Sequence, residues 1–194
     1  MNFCMTTLRG KLTATLIVFG LWLLPGWCLA WQMEGEKTIT AHTRDKQHIV
    51  IGTVRFTSLG DGSTGFKLTM NHDKLTDYFL SMKEFKCLAS AEEVTCHVPY
   101  PYRHPAKITD GDYAWLEHNL LFLFKLPNEF GAKLWNGLYY KLRLTDSGLV
   151  GEPMAIDLNH ISAPPDDLTT PPYGADARDP VPTGARWLES ITVQ

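Results

Sequence analysis

Residues 136–158, NGLYYKLRLTDSGLVGEPMAIDL, decide the fold class. After Asn136-Gly137, a pair suited to a tight hairpin turn, Leu138, Tyr140, Leu142 and Leu144 fall on one side of an extended chain. Tyr139, Lys141 and Arg143 fall on the other. A period of two marks a half-buried strand, so the leucine side is expected in the core and the other in water. Asp146-Ser147-Gly148 then turns the chain, and Val150, Met154, Ile156 and Leu158 share a face of the next strand. Pro153 has no N–H to give a ladder, which suggests an edge strand or a bulge there.

The same grammar runs back towards the N-terminus. KTITAHT (37–43) and HIVIGTVRF (48–56) flank the polar Arg44-Asp45-Lys46 and read as a hairpin, and GFKLTM (65–70) follows the glycine turn Leu59-Gly60-Asp61-Gly62. Over Asn71 to Met82 the period changes. Leu75, Tyr78, Phe79 and Met82 keep helical spacing behind Asn71 or Asp73 as cap, which predicts a short helix. Thr109-Asp110-Gly111-Asp112 resembles a second helix start, and the helix is expected to run through His118 to about Phe124. The expected fold is mainly β: an antiparallel β-sandwich or open β-barrel with one or two short helices.

Residues 1–30 carry Arg9 and Lys11, an apolar run from Leu12 to Leu24, the breaker Pro25-Gly26 and a small-residue end at Ala30. That is the pattern of a cleaved signal peptide. It takes two cations and no carboxylate away, so the formal charge moves from -3 to -5. A mildly acidic chain lacks the basic field that nucleic acid demands, and no spanning segment follows the leader. The expected organisation is an antiparallel β domain over 31–161, a proline-rich connection or tail over 162–185, and a terminal strand of the same domain over 186–194. Export points to the periplasm, or to secretion as the alternative.

Cys87 and Cys96 are the cysteines left after the leader. A four-residue turn at Ser90–Glu93 places them opposite each other, so they are expected to form a disulfide. They lack the Cys-x-x-Cys spacing of a redox pair. Beyond them lie His97, Tyr100, Tyr102, Arg103 and His104, stiffened by Pro99, Pro101 and Pro105. This polar-aromatic loop is the candidate binding surface. The sequence carries no nucleophile elbow, phosphate loop, dinucleotide fingerprint or zinc helix, and no cofactor is expected. Trp115, Trp135, Tyr139 and Tyr173 add rings of the kind enriched at interfaces. The reading that follows is an exported, non-enzymatic binding or assembly protein of the bacterial cell envelope, acting on an envelope protein or a small ligand. Two alternatives stand beside it: metal handling by His97 and His104, and a hydrolase whose carboxylates and histidines, His118 among them, meet only in the fold.

Overall fold

The structure, a computed structural model, describes residues 31–77 and 85–194. The leader expected over 1–30 and part of the helix expected over 71–82 lie outside them. The strands are β1 (Gly35–Thr43), β2 (His48–Ser58), β3 (Thr64–Met70), β4 (Thr76–Asp77), β5 (Lys86–Ala89), β6 (Val94–Val98), β7 (Lys107–Ile108), β8 (Leu121–Lys125), β9 (Gly137–Thr145), β10 (Gly148–Ile156), β11 (Asp179–Pro180) and β12 (Leu188–Val193). Among the described residues one α-helix, α1 (Ala114–His118), interrupts them. All pair antiparallel in the order β4-β5-β6-β8-β9-β10-β12-β1-β2-β3-β7, with β11 on β10. The sheet curls into an open half-barrel. No helix among the described residues is long and apolar enough to cross a membrane.

The β9–β10 hairpin is the spine. Thr145 pairs with Gly148 across Asp146-Ser147, and the ladder runs unbroken to Gly137 opposite Ile156. Gly148 sits at φ +146, and a Cβ there would lie 2.1 Å from the Val193 carbonyl oxygen. Only glycine lets β12 approach so closely. The C-terminal strand therefore lies mid-sheet, between β10 and β1, with Leu188, Ile191 and Val193 buried.

Four local expectations are corrected. From Leu121 the apolar run is strand β8, paired to β6 and β9, because α1 ends at His118, with Asn119 N–H capping it on the Trp115 and Leu116 carbonyls. A run apolar on every side suits a strand covered on both faces. Thr76–Asp77 is strand rather than helix, since Asn71 supports one turn through Lys74 and Leu75 and the chain then pairs with Cys87. Asn136-Gly137 closes no tight hairpin. Gly137 opens β9 where a Cβ would meet the Ile156 carbonyl at 2.7 Å, and the β8–β9 connection spans 126–136. Tyr139 is buried and Leu144 is 57% exposed, the reverse of the alternation expected for them.

Pro153 lies inside the sheet without breaking it. It pairs with Tyr140 on one side, while on the other it faces the gap between β12, which ends opposite Gly151, and β11, which begins opposite Met154. The N–H it lacks has no partner to miss.

Cys87 and Cys96 are joined by a disulfide with Cα atoms 3.9 Å apart. Closing so short a loop contributes roughly 2–3 kcal/mol in the chain-entropy model. The bond fits a compartment outside the cytoplasm.

Candidate functional site

The loop after β6 turns most of its chemistry inward. His97 is buried on β6, and its Nε2–H donates to the Asn119 carbonyl at 2.9 Å. Burial lowers its pKa, opposed by that hydrogen bond. Tyr100 packs edge-on to Tyr102, His104 and His118 and tilted against Trp115, and its buried hydroxyl has no hydrogen-bond partner among the described residues. Tyr102 donates its hydroxyl to the Ile161 carbonyl at 3.0 Å. His104 is stacked between Phe66 and Trp115. Arg103 is exposed. Thus His104, Tyr100 and His118 meet in one ring cluster, His97 bonds the backbone beyond it, and no group of three or more His, Cys, Asp or Glu able to hold a metal occurs among the described residues.

Below the rings lies a buried polar knot that spacing could not reveal. β8 pairs with β9 only at Leu138 and Gly137, so the upper half of β9 loses that neighbour. Glu117, fully buried on α1, supplies the missing acceptors: its Oε1 takes the Leu142 N–H at 2.6 Å, and its Oε2 takes the Tyr139 hydroxyl. Lys141 Nζ at 3.3 Å and Arg178 Nη1 at 3.9 Å balance its charge, and Arg178 lies over the Tyr139 ring. Beside it, His118 Nδ1–H donates to the Ala114 carbonyl at 2.6 Å, and Nε2 accepts from Tyr173 N–H at 3.1 Å. Those partners fix one neutral tautomer. Glu117 and His118, adjacent on α1, point about a hundred degrees apart and serve different partners, so they form no acid–base dyad. Tyr173 in turn pins the proline-rich segment, donating its hydroxyl to the Asp157 carbonyl.

Open space lies elsewhere. An apolar groove of about 470 Å³ runs beside Pro99 and Pro101, floored by Val98, Leu158 and Ile161. A larger cavity, about 710 Å³, opens where the curled sheet fails to close, between His48–Val50 of β2 and Cys87–Ala91 of β5 and its turn. Asp45, Lys74 and Thr76 also line it, and an ion pair from Arg44 to Glu92 ties the β1–β2 turn to the β5–β6 turn.

The register says which backbone groups face this seam. In an antiparallel ladder, hydrogen-bonded and non-hydrogen-bonded pairs alternate, and a residue of the second kind turns its N–H and C=O to the opposite edge. Ser90 N–H bonds the Glu93 carbonyl, so Leu88 is a bonded partner of Thr95 while Ala89 and Cys87 turn away from β6. Cys87 meets Thr76 of β4. Ala89 would next meet Lys74, but Lys74 N–H is held by Asn71. The same count on β2 starts from Thr43 N–H on the Gln47 carbonyl, so His48 and Val50 point away from β1. β3 begins its pairing only at Gly52. Among the described residues, the Val50 carbonyl is met by the Asn71 side-chain amide, at 3.4 Å. Two strand edges without ladder partners among the described residues thus face each other across the cavity. Sequence reasoning missed them, although the cysteine spacing and the Ser90–Glu93 turn already fix which way Ala89 points.

Comparison with protein-family models, curated proteins and solved structures finds no match to this chain.

Proposed function

We propose that this is an exported, non-enzymatic binding or assembly protein of the bacterial cell envelope, periplasmic, which takes an extended segment of a partner polypeptide into the open seam. The observation that carries the reading is the pair of unpaired edges, His48 and Val50 on one side and Ala89 on the other, across a cavity of about 710 Å³. Unpaired strand edges are templates for another chain, and strand addition supplies main-chain hydrogen bonds that need no special ligand chemistry. The track is the one β4 leaves after pairing Thr76 with Cys87. A strand laid along it bridges β5 to β2 and closes the half-barrel. The mixed lining, with Leu88 and Ile49 beside Asp45, Gln47 and Lys74, suits a segment of alternating apolar and polar residues.

Ala89→Pro tests this directly. Proline at an edge position whose N–H has no ladder partner leaves the free fold standing, but it deletes a donor the incoming strand requires. The full chain, exported and purified, is applied to an array of ten-residue peptides of alternating apolar and polar residues. Wild type is expected to retain a subset, and Ala89→Pro to bind that subset at least tenfold more weakly with an unchanged urea midpoint. Retention of no peptide, equal retention by Ala89→Pro, or loss of binding in the presence of a concentration-dependent dimer seated at the same edge counts against the proposal.

A further inference from the structure

The seam proposal uses the backbone of His48; the imidazoles of His42 and His48 form a separate feature that it leaves unused. They face each other on β1 and β2, at a position the turn register makes a non-hydrogen-bonded pair, where cross-strand side chains approach most closely. Their Nδ1 atoms lie 2.6 Å apart and the rings meet edge-on at 4.8 Å. The partner of His42 Nε2 is Thr192 Oγ1 on β12, at 2.8 Å. His48 is exposed, so the pair is open to solvent on its outer side.

We propose that His42 and His48 are a two-imidazole site for a divalent transition-metal ion, Cu(II) ahead of Ni(II) and Zn(II). Imidazole nitrogen suits these ions, and the order follows their general affinity for nitrogen ligands. Two nitrogens bound cis at about 2.0–2.1 Å from a metal lie roughly 2.9 Å apart, so the pair needs to open by only a few tenths of an ångström. The strands already hold both rings. The turn between them, residues 44–47, is knotted by Thr43 N–H to the Gln47 carbonyl, Gln47 N–H to Thr43 Oγ1 and Trp187 Nε1–H to Asp45. Little ordering is left for binding to oppose.

As two neutral rings, one Nδ1–H donates to the other Nδ1, and the ion takes the place of that shared proton. The donor ring carries its hydrogen on Nε2 instead, with no net proton release from the neutral pair. If that ring is His42, the relocated N–H meets the Thr192 hydroxyl, which orients the ligand from behind. The remaining coordination positions belong to water or to a donor atom on whatever enters the adjacent cavity, which His48 also lines.

The test is a calorimetric titration of Cu(II) into the exported, purified full chain without reductant, with electron paramagnetic resonance on the bound ion. One ion per chain is expected, with nitrogen hyperfine structure. His48→Ala, which changes an exposed side chain, and His42→Gln are each expected to weaken binding at least tenfold. His72→Ala, another exposed histidine, leaves it unchanged. Absence of binding, or affinity that survives His48→Ala, overturns the assignment.

Discussion

Glu117→Ala is expected to destabilise the fold by about 3–5 kcal/mol, the range seen when one member of a buried charged network is removed. The carboxylate is fully buried, and its loss strands three groups at once: the Leu142 N–H, the Tyr139 hydroxyl and the Arg178 guanidinium. The Leu142 N–H and the Tyr139 hydroxyl then lack a partner where water does not replace it, which is the costly side of hydrogen bonding, while Arg178 keeps the Gly174 carbonyl but loses its counter-charge. Because a domain holds only about 5–15 kcal/mol in total, the variant is left near the edge of folding. Urea unfolding followed by tryptophan fluorescence measures the loss. Glu117→Gln, which keeps an acceptor for Leu142, is expected to lose less, and Glu152→Ala, which removes an exposed partner of Arg143, almost nothing. A loss under about 1 kcal/mol for Glu117→Ala contradicts the buried-knot account.

The second large effect is a dependence on acid. His118 is lowered from 6.5 to about 4, first by burial, with the Arg178 and His104 charges adding to it while the Ala114 carbonyl and Asp112 oppose. A base with a depressed folded pKa binds fewer protons folded than unfolded. Its contribution is therefore complete above about pH 6.5, falls as pH drops from there towards 4, and falls no further below. The span corresponds to about 3 kcal/mol lost in total. Buried His97 acts in the same direction. Asp45 and Asp61, held below the usual carboxylate range first by the Thr43 and Ser63 side chains, act at lower pH, below the ordinary carboxylate value. Urea midpoints at pH 7.5, 5.5 and 4.5 are expected to fall steadily, and His118→Gln to flatten the profile within that window. A midpoint unchanged from pH 7.5 to 4.5 contradicts it. Protonating Nε2 also removes the acceptor for Tyr173 N–H, so the proline-rich segment loosens with the same titration.

What the sequence made legible follows from period and turns. The β1–β2 and β9–β10 hairpins, the disulfide and the mainly antiparallel half-barrel are all written in alternation, glycine placement and cysteine spacing. Where local signals misled, a distant segment had intervened. Tyr139 reads as outward-facing by alternation, yet Arg178 and Tyr173 from the proline-rich wrap cover it. The helix expected to run on to Phe124 fails because a run apolar on every side carries no period, and only the presence of β6 and β9 on either side decides for strand. For the candidate loop, the sequence could place His97, Tyr100 and His104 near one another but not say that their rings face inward. The seam was the reverse case: its edges could be counted from the turns, but a count of pairs does not show that the sheet stops short of closing.

Amide hydrogen exchange by NMR tests the seam most directly. In the free chain the account predicts fast exchange at Ala89, His48 and Val50 beside protected amides at Leu88 and Ile49. Adding a retained peptide is predicted to slow the three fast sites together. Ala89 as protected as Leu88 in the free chain, or fast sites unmoved by a bound peptide, would contradict it.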